Sequence, residues 1–366
     1  MRKIDFQNDS NLTGDYPLFF GKPLGLFDSL NQPYPELDRL NDEQQALFWP
    51  SKEVSLAKDA IDIAEAEPEV INLLIENLSF QMAADSFASG TISGLFLPIL
   101  SNSSAVELIE YHSMSESIHA KAYFRIIAEA FNDPNRLFER IKANEKIFER
   151  LETIMAVFRE HNKMLKGYLY EDLYQQDPSY CRRTVIKTVA ALLALEGIMF
   201  LTSFANTFAL TEATQRFNGV SKLVGLIRDD EAISHKNNMI AFLDIIVNKE
   251  KWAEWDDVKG EVKDLLDTIV NQELDWVVHL FKACKPLIGF NGELLNDYTY
   301  HLAKPIYDRF NIQWDFPVVN RLPFPWINKY VKADLVQVAP QESEVTNYLT
   351  GLANDDTSDT EFEFEV

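Results

Sequence analysis

The chain has 366 residues and a formal net charge of −23, with 34 lysines and arginines against 57 aspartates and glutamates. That length is ample for a substantial core. The charge excludes general binding to nucleic acid or to anionic membranes, because both carry the same sign. The two cysteines, Cys181 and Cys284, belong to no paired motif, which excludes a disulfide framework or a thiolate metal site and fits reduced thiols in a cytoplasmic setting. The first residues carry no apolar signal-peptide core. No apolar run is long and uniform enough for a membrane span; Thr188–Leu210 comes nearest, and Glu196 interrupts it.

Residues 1–50 read as an irregular segment broken by Pro17, Gly21, Pro23, Pro33 and Pro35, with a short helix over Asn41–Trp49 before Pro50. No Pro/Gly/Ser-rich linker divides residues 51–339, which read as one helical domain. A long helix starts after Glu67, with Pro68 in its first turn, and Leu74, Leu78, Met82 and Asp85 fall on one face. Gly90 and Gly94 mark its end or a distortion. A second helix spans Ala105–Phe131, stopped by Asn132-Asp133-Pro134. On it His112, Glu116, His119 and Tyr123 stack as one polar stripe among isoleucines. Asn135–Gly167 is a charged helical stretch. A third core helix over Arg182–Thr211 turns Leu192, Glu196, Phe200, Phe204 and Phe208 inward. A fourth over Ser221–Val247 does so with Leu223, Ile227, Glu231 and either Ser234 or His235. More helix is expected over Trp255–Lys285 and Leu294–Phe310. Phe316–Ala339 is Pro-rich and irregular, and residues 340–366 form a mobile acidic tail. The fold class is all-α.

Two clusters carry the chemistry. Glu116 and His119 are preceded by Asp85; Glu231 and His235 are preceded by Glu196. Glu and His three apart project from one helix face, so a single turn supplies two ligands. One such pair alone is weak, since a solvated or capping pair has the same spacing. Here Asp85 and Glu196 each interrupt an apolar face, and a buried carboxylate needs a partner. Four carboxylates and two imidazoles projecting into one bundle form a site for two metal ions, and oxygen with imidazole nitrogen suits iron or manganese. No Gly-rich phosphate loop accompanies them.

The segments Ser115–Tyr123, Asn206–Leu210 after Glu196, Arg228–Ala232 and Val336–Glu342 together resemble the small, radical-generating subunit of class I ribonucleotide reductase. The resemblance runs from about Pro17 to Leu352. It implies a ferritin-like bundle with a di-metal carboxylate centre of two iron ions per chain, with manganese or a mixed manganese–iron pair as alternatives, activated by dioxygen. Asp85, Glu116, His119, Glu196, Glu231 and His235 would be the metal ligands. Tyr123 would be oxidised to a radical behind an apolar wall of Phe200, Phe204 and Ile227; otherwise it is a core tyrosine. Trp49, Asp230 and Tyr348 would carry the oxidising equivalent to the large subunit, which would hold this C-terminal tail, and the small subunit would be a homodimer. A self-contained di-metal oxidase of the same fold is the competing class; it has no use for the tail.

One departure stands out. The family pattern sets the last histidine three residues after its glutamate, whereas here Ser234 holds that position and His235 comes next. Either a small rotation or a π-bulge brings His235 to the metals, or Ser234 takes the ligand position and His235 faces elsewhere. His112, one turn before Glu116, is either a group that orients a ligand or a satisfied core histidine.

Overall fold

The computed structural model describes residues 4–27, 30–283 and 286–330. Four long helices build the core: Pro68–Phe96, Ser103–Ala130, a helix over Pro178–Thr214, and a fourth made of abutting segments Asn218–Asp229, Asp230–His235, Lys236–Asp244 and Ile245–Lys249. Glu145–Tyr170 and Glu254–Ala283 pack around them, and Gly292–Arg309 closes the bundle. No β-strand forms among the described residues, only isolated bridges. The all-α, ferritin-like expectation therefore holds.

The helix ends are set by local chemistry. Asn102, Asp133, Asn144, Asp177 and Asn291 each accept a backbone N–H from the first turn of the helix they precede, and each cap is worth about 1 kcal/mol. The fourth core helix is capped from elsewhere. Asp62 accepts the N–H of Phe217, and Asp59 accepts those of Gly219 and Val220. A β-carbon on Gly219 would lie 2.3 Å from the Asp59 carboxylate, so only glycine allows this approach.

Three expectations need correction. The N-terminal fifty residues are not irregular throughout. Pro35 opens a helix over Pro35–Ala46 rather than breaking the chain, because the first turn needs no N–H from it. Trp49 lies beyond that helix. The Asp85 helix runs straight through Gly90 and Gly94 to Phe96. Two glycines cost about 1 kcal/mol each, but Ala88, Ile92, Leu95 and Phe96 continue the buried face, and the real stop is Pro98. The charged stretch is two helices, Pro134–Ala143 and Glu145–Tyr170, parted at Asn144, which has extended backbone and caps the second.

The Pro178–Thr214 helix is long and apolar enough to cross a membrane, yet 94% of its most apolar stretch is buried inside the protein, as expected of a core helix. Cys181 on it is buried, and burial pushes its thiol up to about 11. Cys284 lies outside the described residues.

His161 is a core histidine that no local pattern announced. Its ring nitrogens lie 2.8 Å from the Thr188 hydroxyl and 2.9 Å from the Leu95 carbonyl. Burial, only partly opposed by the Leu95 carbonyl, pushes it down to about 4. Between about pH 6.5 and 4 the unfolded chain takes up a proton that the folded chain refuses. His161 therefore favours folding fully above that window, and about 3 kcal/mol is lost as pH falls through it. Urea midpoints at pH 7 and 4.5 for His161→Gln should show a smaller acid loss than the unsubstituted chain; parallel losses would refute this.

Candidate metal centre

The four core helices converge on one buried cluster. Pro68–Phe96 brings Asp85 and Ser103–Ala130 brings His112, Glu116 and His119. Two π-helical segments supply the rest: Leu195–Phe200 carries Glu196, and Asp230–His235 carries Glu231 and His235. All seven side chains are fully buried. Two overlapping sets emerge. The metal-binding atoms of Glu116, His119, Glu231 and His235 lie within 4.8 Å of one another, as do those of His112, Glu116, Glu196 and His235. Asp85 borders the first set, its Oδ1 3.4 Å from His119 Nδ1. Glu231 Oε1 is 3.1 Å from the same nitrogen.

The π segments answer the spacing question. A π turn holds one more residue than an α turn, and His235 Nδ1 sits 2.9 Å from Glu231 Oε2 and 3.1 Å from Glu116 Oε1. Ser234 points away from the cluster and donates to Gln44 Oε1 at 2.7 Å, as does Asn238 at 2.9 Å. Of the two arrangements open from sequence, the structure places His235 in the cluster. That the Pro35–Ala46 helix takes up Ser234 had no sequence signal.

Asp230 organises the outer side. Its Oδ2 accepts from Trp49 Nε1 at 2.8 Å and from Ser115 Oγ at 3.1 Å, and lies 2.8 Å from His119 Nε2. Holding Nε2–H directs the other nitrogen, Nδ1, at Asp85, Glu116 and Glu231. The Trp49 and His119 rings stack with centroids 5.9 Å apart and planes within 15°. Arg125 holds the backbone beyond Trp49 by donating to the carbonyls of Ser51 and Val54. Tyr348 lies outside the described residues, as does the whole tail from residue 340.

The electrostatics are those of four acids in a dry core. Burial pushes the carboxyls of Asp85 and Glu231 well above the usual range; His119 opposes this in both, and neighbouring carboxylates add to it. Burial works the same way on Glu116, but the His112 and His235 imidazoles facing it outweigh it and hold that carboxyl low. Burial disfavours charge on His112 and His119 too. Glu116 and Glu196 nevertheless push His112 up to about 9, and Asp230, Asp85 and Glu231 raise His119 well above its ordinary value. His235 is lowered by burial and by His112. Two divalent cations would balance the four carboxylates with the imidazoles neutral. Both oxygens of Asp85, Glu116 and Glu196, with Glu231 Oε1, His119 Nδ1 and His235 Nε2, have no hydrogen-bond partner within the protein. Buried polar atoms without partners cost about 1–3 kcal/mol each, so this many facing one another fit a di-metal centre and no ordinary core.

Tyr123, one turn beyond His119, is fully buried, and its hydroxyl also lacks a partner. Burial, with Asp85, Glu231 and Glu116 adding to it, pushes the phenol well above 10, so it keeps its proton. Phe200, Phe204 and Ile227 are buried in the same continuous core.

The ribonucleotide reductase small chain family matches residues 27–321, which include every residue of this cluster. The chain is 31% identical over 349 residues to the ribonucleoside-diphosphate reductase 1 subunit beta of Salmonella typhimurium, covering 92% of each chain. It is 29% identical over 376 aligned positions to the subunit beta of Haemophilus influenzae, covering 99% of each. The ribonucleotide reductase R2 subunit from Clostridium botulinum shares the fold, with a TM-score of 0.74 at 18% identity over 86% of this chain and 93% of that one. With the buried four-carboxylate cluster carried on its core helices, the chain belongs to the ribonucleotide reductase small chain family, the beta subunits of class I ribonucleoside-diphosphate reductase.

Proposed function

We propose that this beta subunit binds two metal ions, iron or manganese, through Asp85, Glu116, His119, Glu196, Glu231 and His235, and that Tyr123 is the residue oxidised to a stable radical. The observation that carries the reading is the set of unpartnered carboxylate and imidazole atoms beside an unpartnered, fully buried tyrosine hydroxyl. When bound, such a metal pair supplies the redox chemistry that reduces dioxygen and oxidises a nearby phenol. The protein's own part is to orient and to exclude. Asp230 fixes His119 through Nε2. Tyr123 would lose one electron and its hydroxyl proton to the oxidant that the metal pair and dioxygen supply, leaving a neutral radical in a core that keeps out water and reductants. Phe200, Phe204 and Ile227 belong to that core.

The buried chain Trp49–Asp230–His119 supports an exit route. An indole N–H on a carboxylate that also holds a cluster imidazole couples electron and proton movement through contacts of 2.8 Å. Tyr348 in the C-terminal tail continues the route to a thiol of the large subunit, which reduces ribonucleotides to deoxyribonucleotides and docks that tail. The subunit works as a cytoplasmic homodimer.

The test is electron paramagnetic resonance after adding ferrous iron and oxygen to metal-free protein, with a manganese preparation beside it. A tyrosyl signal is expected, absent from Tyr123→Phe although that variant still binds two ions per chain. No tyrosyl signal with either metal, despite two bound ions, would overturn the assignment.

A further inference from the structure

His112 is the one imidazole of the cluster that the six-ligand pattern leaves without a task. Fully buried, it has no hydrogen-bond partner at either ring nitrogen. Its Nε2 lies 3.4 Å from Glu116 Oε1 and 3.5 Å from Glu196 Oε1, distances at which two partners flank a cation better than they share a proton. Its ring lies face to face with that of His235, centroids 3.8 Å apart and planes within 17°. A satisfied core histidine looks different in this same protein: His161 has a polar partner within 2.9 Å at each nitrogen.

We propose that His112 is a ligand of the metal ion on the Glu196 side, so that this position is built from His112, His235, Glu116 and Glu196. This deepens the di-metal reading and rests on it. The two positions then differ in kind. The Glu196 side presents two imidazoles, while the other presents His119 with Asp85 and Glu231. Nitrogen ligands favour the later metals of the first transition row more than oxygen ligands do, so the two positions fill with unequal affinity.

The experiment is equilibrium dialysis of the full chain against manganese(II), alone and as His112→Phe, followed by a crystal structure of the loaded protein with anomalous scattering at the manganese edge. Phenylalanine keeps an aromatic ring to stack on His235 but has no nitrogen. Two ions per unsubstituted chain are expected, with His112 Nε2 within about 2.3 Å of one, near the ordinary metal–imidazole distance. In His112→Phe the first ion should bind as before and the second more than about 100-fold more weakly, beyond the roughly 10–100-fold that losing an outer-shell partner costs. Two ions bound with unchanged affinity in the variant would overturn the proposal, and so would a map in which His112 Nε2 is a ligand of neither ion. Should His112→Phe fail to fold, the map of the unsubstituted chain decides alone. Fewer than two ions on the unsubstituted chain would defeat the di-metal reading itself, before any variant is compared.

Discussion

Glu116→Ala should bind no metal, against two ions expected on the unsubstituted chain. Glu116 belongs to both donor sets. Its Oε1 lies 3.1 Å from His235 Nδ1 and 3.4 Å from His112 Nε2, and its Oε2 faces His119 Nδ1 at 3.9 Å. Removing it withdraws one ligand from each position and leaves three carboxylates against the charge of two dications. Neither position then keeps its full donor set, whereas a change confined to one side leaves the other set intact. Asp85→Ala is the contrast, since Asp85 meets only the His119 side; it should retain one ion. Metal content after dialysis, measured by atomic emission with helicity checked by circular dichroism, reads both. One ion retained by folded Glu116→Ala would show that the positions do not share this carboxylate.

Glu273→Ala is expected to destabilise the protein by about 3–5 kcal/mol, the usual penalty for orphaning one member of a buried ion pair. Arg150 donates to Glu273 through Nε at 2.6 Å and Nη2 at 2.5 Å, and its guanidinium lies over the Phe80 and Trp276 rings with centroid distances of 3.4 and 4.8 Å. Both groups are buried. Burial raises the Glu273 carboxyl and lowers Arg150 despite their mutual attraction, so desolvation outweighs the pairing. Arg150→Met with Glu273→Leu should therefore recover most of the stability lost by the single variant. The pair also reaches the site, because Arg150 Nη2 donates to the carbonyl of Met199 at 3.3 Å, inside the π segment that carries Glu196. Urea denaturation of the metal-free single and double variants tests this. A loss below about 1 kcal/mol in Glu273→Ala, or an equal loss in the double variant, would rule out a desolvation-dominated pair.

Much of the fold was legible because helices report themselves locally. Apolar residues recur at three and four, prolines open helices, and Asn and Asp cap them. The cores of the four long helices fell where periodicity put them, and Asp85, Glu116, His119, Glu196 and Glu231 were conspicuous as acids and an imidazole on apolar faces. The misplaced boundaries share a cause. Pro35 and Gly90 are ambiguous signs, since proline both breaks and starts helices and glycine is tolerated wherever burial on the same face outweighs its entropy.

By itself the sequence determined an all-α chain and the helices that carry Asp85, Glu116, His119, Glu196, Glu231 and His235, because residue type and helical period are local properties. Only the tertiary structure decided which atoms meet. His112 joins Glu196 from another helix, Arg150 finds Glu273 far along the chain, and Ser234 turns to Gln44 while His235 faces the acids. These outcomes depend on how each helix is rotated against its neighbours. A single π turn shifts that rotation by one residue, and the shift is set by packing across the bundle rather than by the residues within the turn.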